Sequence, residues 1–141
     1  MIKNFFLVDD DPDDTGMFAE VLHSIDPSLK FGFTHNGWEL INKLKTGEMA
    51  DPHIIFLDIN MPEINGWECL KQLDKINKLH SIPVIMYSAS QHDAERAVKA
   101  GALCHYQKPA SFQLLKEFLE LISATSRRNL RRVIKEIQQT G

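Results

Sequence analysis

The sequence predicts an α/β protein, a parallel sheet covered by helices on both faces, on two observations. Five short apolar runs, at 5–8, 31–33, 54–57, 84–87 and 103–106, alternate with longer amphipathic segments. Strand–helix alternation of this kind builds parallel strands joined by crossover helices. The third and fourth runs are apolar at every position, as strands covered on both faces require.

Each element has its own signal. The first run is halted by Asp9, and Asp11-Pro12 then supplies a cap residue and a proline at the first helical position. Phe18, Val21, Leu22 and Ile25 follow at helical spacing. Asn36-Gly37-Trp38-Glu39 and Asn65-Gly66-Trp67-Glu68 are one tetrapeptide used twice. Their flanks do not match, so they read as two capping boxes, Asn at N-cap and Glu at N3, and not as an internal repeat. Ser90 is expected to cap a fourth helix with a small-residue face, Ala94, Ala97 and Val98, that ends at Gly101. That helix buries little and should be among the looser elements. Ser111 caps a fifth helix carrying Phe112, Leu115, Leu119 and Ile122. Beyond it, Leu130, Val133, Ile134 and Ile137 repeat with helical spacing in a stretch too short for a second domain. One domain over 1–125 and a basic amphipathic helical extension over 126–141 are therefore expected.

Composition excludes several classes. With 141 residues, 43% apolar and 25% charged, the chain suits one globular domain with a real core. A net charge of -3 gives the whole molecule no pull toward nucleic acid or acidic membranes. Cys69 and Cys104 form no close-spaced pair and read as reduced thiols, not a disulfide or zinc framework. The first apolar run lacks the length and flanks of a signal peptide, and no run approaches the ~18 residues of a membrane span. A cytoplasmic location is the expectation. The histidines His23, His35, His53, His80 and His92 show no ligand spacing for zinc. Trp38 and Trp67 read as packing or surface residues. Charge is unevenly placed: Asp9, Asp10, Asp11, Asp13 and Asp14 crowd one end, and Arg127, Arg128, Arg131, Arg132 and Lys135 the other.

The chemistry lies where polar residues interrupt the apolar runs. Ligands bind at the carboxyl ends of strands in parallel α/β sheets. Strand one ends in Asp9-Asp10, strand three in Asp58, strand four in Ser88 and strand five in Lys108-Pro109. Three carboxylates, a hydroxyl and an ammonium would thus share one edge. Carboxylates so gathered repel one another unless a hard divalent cation joins them, and oxygen-only ligation suits Mg²⁺. With a lysine, such an ion neutralises the charge that opposes attack of a carboxylate on phosphorus. Asp58 would be the nucleophile, giving an acyl phosphate. Asp11, Asp13 and Asp14 read as charges suited to the amino end of a helix.

These residues carry a resemblance. Leu7-Val8-Asp9-Asp10-Asp11, Leu57-Asp58-Ile59-Asn60-Met61-Pro62 with Gly66 following, Met86-Tyr87-Ser88-Ala89, and Gly101-Ala102 leading to Lys108-Pro109 are similar to the response-regulator receiver domain, the CheY-like family, over residues 1 to about 125. The resemblance implies a doubly wound, flavodoxin-like sheet of strand order 2-1-3-4-5. It implies phosphoryl transfer to Asp58 from a histidine kinase or histidine phosphotransfer protein. Mg²⁺ would be held by Asp10 directly, Asp9 through water, Asp58, and the backbone carbonyl of Asn60. A one-residue shift giving the role to Asp11 is disfavoured, because Val8 should end the strand. Lys108 would pair with phosphoryl oxygens across a cis bond to Pro109. Ser88 would donate to the phosphoryl group, and Ser90 and Asn60 would flank the path of the hydrolysing water. The fourth helix, fifth strand and fifth helix would then signal to a downstream partner protein by a population shift. The only chemistry catalysed would be the domain's own phosphorylation and dephosphorylation. A homodimer is compatible with this.

One position departs from the family pattern. Where its members carry Phe or Tyr, three residues before the lysine, this chain has His105, and Tyr106 should face the other side of the sheet. Either His105 turns inward as Ser88 moves, with a pH-dependent bias, or it is a half-exposed histidine with no switching role. Three other functions fit the residues less well. An aspartyl-nucleophile phosphatase needs a second aspartate where Asn60 stands. A flavin protein needs a first loop that cradles phosphate, and an aspartate-rich loop repels it. A phosphate-independent interaction module of the same fold has no use for the full acidic set, Ser88 and Lys108. No helix-turn-helix follows, so sequence-specific DNA binding is not expected. The basic tail is expected to pack on the domain with its charged face solvated, the competing role being docking to a kinase, partner or nucleic acid.

Overall fold

A computed structural model describes residues 1–90 and 93–140, with the backbone alone for 138–140. His92 lies outside the described residues. The elements follow as β1 (Asn4–Val8), α1 (Pro12–Ile25), β2 (Lys30–Thr34), α2 (Gly37–Thr46), β3 (Ile54–Asp58), α3 (Gly66–Lys75), β4 (Val84–Ser88), α4 (Ala94–Lys99), β5 (Cys104–Gln107), α5 (Phe112–Ser123) and α6 (Leu130–Thr140). The sheet order is β2-β1-β3-β4-β5 with every pairing parallel, the doubly wound arrangement expected.

Alternation along the strands sorts side chains into two cores. Phe6 and Val8 of β1 join Leu40, Ile41 and Leu44 of α2, Leu70 and Leu73 of α3, and Ala97 of α4. Phe5 and Leu7 join Phe18, Val21 and Leu22 of α1 and Leu115, Leu119 and Ile122 of α5. Phe18 meets Phe56 edge-on, with centroids 5.0 Å apart. Each buried Val, Leu, Ile or Phe among them contributes roughly 1.5–3 kcal/mol. Phe112 departs from the expected stripe: it is 38% exposed, and Phe118 supplies the buried aromatic of α5 instead.

Helix starts follow the expected chemistry with one exception. Asp11 caps α1 ahead of Pro12, and Ser111 caps α5. Asn36 and Asn65 each accept the backbone N–H of the glutamate three residues on, at 2.9 Å. Ser90 does not cap α4; that position falls to Asp93, which makes no side-chain cap bond. The loop after β4 runs further than the sequence suggested, and α4 is a six-residue helix with Ala97 its buried residue. Gly101, at φ +105°, turns the chain out of α4 where a side chain would strike Leu79.

α6 crosses the amino-terminal edge of the sheet. The Ile2 N–H donates to the Thr125 carbonyl at 3.2 Å, and Leu130 and Ile134 are buried in the core that holds Ile2 and Phe5. Arg131 and Lys135 border a cleft of about 360 Å³ with Leu79, His80, Gly101, Ala102 and Leu103, residues of the loops that enter β4 and β5. Arg127, Arg128, Arg131, Arg132 and Lys135 are all exposed. No helix among the described residues is long and apolar enough to cross a membrane.

Candidate functional site

Parallel pairing brings the carboxyl ends of the strands to one edge. Val8 pairs with Leu57, Asp58 with Tyr87, and Ser88 with Gln107. Asp9 and Asp58 therefore emerge side by side, with Ser88 and Lys108 next along. Carboxylate oxygens of Asp9, Asp10 and Asp58 lie within 4.8 Å of one another. Asp11 turns away from this cluster: its Oδ1 accepts the Asp13 N–H at 2.9 Å as the cap of α1. Its own N–H donates to Asp9 Oδ1 at 2.9 Å, fixing that carboxylate in place.

Burial sets the electrostatics. Asp58 is buried, and its carboxyl is pushed up to about 7, first by burial and then by the neighbouring Asp9 charge, with Lys108 opposing. Burial likewise raises Asp9, whose residue is wholly enclosed. Burial alone would lower Lys108, but the hydrogen bond to Asp14 and the close Asp9 and Asp58 carboxylates outweigh it and hold the ammonium above the ordinary lysine range. The lysine Nζ is 2.9 Å from Asp9 Oδ2 and 3.5 Å from Asp58 Oδ2. The Asp9 contact is an ion pair without hydrogen-bond alignment, so Oδ2 is a buried side-chain oxygen without a hydrogen-bond partner among the described residues.

That orphaned oxygen tests whether a metal ion fits. One ammonium faces several carboxylates, two of them raised, and the buried Asp9 Oδ2 meets that ammonium without an aligned hydrogen bond. Oxygen ligands alone, partly open to solvent at the exposed Asp10, match a hard divalent cation. Asn60 lies exposed in the loop after β3, where its backbone N–H bonds to Asp58 and favours the ionised carboxylate. Gly66 holds that loop against α3. Its N–H donates to the Ile59 carbonyl at 2.8 Å, and a Cβ there would sit 2.6 Å from the Asp58 carbonyl oxygen.

Ser88 and His105 meet on the face of the sheet opposite α5. Ser88 Oγ and His105 Nε2 are 2.8 Å apart, and His105 is 7% exposed, not half-exposed. Burial holds its imidazole below the usual histidine range. Tyr106 points the other way and stacks on Phe118 with centroids 3.8 Å apart.

Two features differ from expectation. Among the described residues no peptide bond is cis, so Lys108–Pro109 is trans, the form that X–Pro bonds favour by about 0.5–1 kcal/mol. The Lys108 N–H instead donates to the Ser88 carbonyl at 2.8 Å, and the long side chain reaches the aspartates from there. The second is Asp14, set aside in the sequence as a helix-end charge. Its Oδ2 accepts from Lys108 Nζ at 2.7 Å. A signal was present: Asp14 precedes Phe18 by four, which puts it on the buried stripe of α1, one turn nearer the site.

Comparison with known proteins places this geometry. The model of the response regulator receiver domain matches residues 5–120. Chemotaxis protein CheY1 of Helicobacter pylori is 38% identical over 79 residues, 55% of this chain and 64% of that protein. The chain thus spans a little under two thirds of the length of that relative. The protein-glutamate methylesterase/protein-glutamine glutaminase of Agrobacterium fabrum is 38% identical over 114 residues, 77% of this chain and 30% of the longer protein. Among solved structures, the phosphorylated cyanobacterial phytochrome response regulator RcpA superposes with a TM-score of 0.79 at 26% identity, over 89% of this chain and 98% of that one. The Mn(2+)-bound form of response regulator Rcp1 shares the fold at a TM-score of 0.72 and 24% identity, over 86% of this chain and 92% of that one.

Proposed function

We propose that this chain, which belongs to the response regulator receiver domain family, accepts a phosphoryl group on Asp58 from a histidine kinase or histidine phosphotransfer protein in a two-component relay. The carrying observation is the gathering of Asp9, Asp10 and Asp58 oxygens within 4.8 Å, with the Lys108 ammonium 3.5 Å from Asp58. A lone turn aspartate has no need of such company.

The residues divide the work. Asp58 attacks phosphorus; an O–P bond forms as the N–P bond to the donor histidine breaks, and that nitrogen leaves with the bonding pair and recovers a proton. Asp58 must be ionised to attack, and the cation its neighbours would hold would bring its raised carboxyl down. Asp10, Asp58 and the Asn60 backbone carbonyl would hold Mg²⁺ directly and Asp9 through water, and the ion would supply neutralisation of anionic oxygens there. Lys108 adds a second positive charge on the side facing β5. Ser88, at the end of β4, turns its hydroxyl from His105 toward a phosphoryl oxygen, and His105 follows it as the switch residue. Asn60 and Ser90 flank the approach of the hydrolysing water. The buried Ser88–His105 contact supports coupling to α4, β5 and α5 as the face read by a downstream protein. Residues 126–141, with α6, form an extension to the receiver domain of 1–125. The reading places the chain in the cytoplasm, without sequence-specific DNA binding and with no catalysis beyond its own phosphorylation and dephosphorylation.

Incubation with acetyl phosphate and Mg²⁺, followed by intact mass, tests this. Wild type should gain one phosphoryl group, and Asp58→Asn or excess EDTA should abolish the gain. A wild-type protein that stays unmodified with both acetyl phosphate and a phosphorylated histidine donor would sink the proposal and leave a phosphate-independent interaction module.

A further inference from the structure

We infer that Asp14 is a positioning residue for Lys108: it holds the ammonium in the site before any phosphoryl group arrives, and its charge limits how tightly an anion is then bound at Asp58. This rests on the phosphoacceptor function of Asp58.

The geometry is specific. Of the three carboxylates around Lys108 Nζ, Asp14 is the nearest at 2.7 Å and the one that accepts an aligned hydrogen bond. Asp9 stands at 2.9 Å and Asp58 at 3.5 Å. The Tyr87 ring lies 5.5 Å from the same nitrogen, so the ammonium is boxed by an aromatic face and carboxylates. Its side chain is 17% exposed and that of Asp14 27%, which leaves the pair only partly screened by water.

Donor counting gives the mechanism. An ammonium has three N–H groups. Asp14 accepts one of them in an aligned hydrogen bond, Asp9 is held by charge without alignment, and the nitrogen keeps N–H capacity on the side of Asp58, where a phosphoryl oxygen would sit. Asp14 has no need to release the lysine on phosphorylation. It pins a flexible four-carbon chain from the first turn of α1, reducing the rotamer freedom lost when the phosphoryl oxygen is engaged. The same carboxylate remains a negative charge close to an anionic group and draws off part of the lysine's positive field. Asp14 is outside the set of oxygens that could share a metal ion, so its influence falls on the anion and not on the cation.

Asp14→Asn separates charge from shape, since the amide oxygen can still accept from Nζ. With beryllofluoride as a phosphoryl mimic in Mg²⁺, Asp14→Asn should bind about three- to tenfold more tightly than wild type, the range expected for removing one partly screened charge. Affinity for Mn²⁺ alone should be unchanged, and Asp14→Glu should restore the wild-type value. Equal beryllofluoride affinity in Asp14→Asn and wild type would overturn the inference. So would a parallel loss of beryllofluoride and Mn²⁺ affinity, the mark of a merely structural residue. Wild type that binds no beryllofluoride would count against Asp58 as phosphoacceptor. The ¹⁵N resonance of Lys108 Nζ in metal-free protein then judges Asp14 separately: the ammonium signal should be sharp in wild type and exchange-broadened in Asp14→Ala. Identical signals in the two would refute the pinning.

Discussion

Replacing Asp58 by Asn should stabilise the metal-free protein at about pH 8. Burial and the adjacent Asp9 move the Asp58 carboxyl from its ordinary 3.8 to about 7. A shift near three units, at ~1.36 kcal/mol each, gives an upper limit of ~4 kcal/mol. An amide retains the shape and can still accept the Asn60 N–H, so a gain of about 2–4 kcal/mol is expected. The sign follows from proton binding. Between the unfolded and folded values the native state binds more protons than the unfolded chain. Wild-type stability therefore falls as pH rises through that window, from 3.8 to about 7, and levels off above it. Below the window both states are protonated and the advantage of the amide vanishes. Urea unfolding in EDTA across this range measures the difference, and saturating Mg²⁺ should return most of the lost stability to wild type. If Asp58→Asn is no more stable than wild type at about pH 8, or if the difference does not shrink toward acid, burial of an uncompensated charge is the wrong account.

Other outcomes follow from the packing. Gly66→Ala should cost about 1–3 kcal/mol, because the added carbon meets the Asp58 carbonyl and Ile59 backbone. It should also weaken Mn²⁺ binding, and unchanged Mn²⁺ affinity would show that the loop adapts freely. Ile134→Ala should cost about 2–4 kcal/mol by urea unfolding while leaving Mn²⁺ affinity intact, since Ile134 is buried at the far edge of the sheet. Cys69 and Cys104 are buried, with thiols pushed up to about 12 by that burial. They should react with a thiol reagent only as fast as the native state opens, and prompt labelling at neutral pH would contradict their placement.

The strands were legible because a parallel sheet leaves an unmistakable record: β3 and β4 are buried at every position, and no amphipathic helix looks like that. The asparagine caps were legible because a cap acts within three residues. The start of α4 was not. Ser90 has the right chemistry, but α4 begins only at Ala94, and Asp93 takes the cap position without a side-chain bond, which leaves no local signal to read. Asp9, Asp10, Asp58 and Lys108 could be placed on one edge from topology alone. Whether His105 pointed in or out could not, because a histidine between two apolar faces has no decisive period; only the 2.8 Å approach to Ser88 settles its direction. Asp14 was hidden by its neighbours, since a run of aspartates at a helix start has a sufficient local explanation.

The placement of α6 makes the molecule electrically two-ended. Aspartates crowd one rim of the sheet, while residues 127–135 lay five cations and no acid across the opposite rim. An approaching protein feels that axis before contact. A cationic surface is turned toward Asp58 and away from α6, so part of the work of orientation is done at a distance and fades as salt is added.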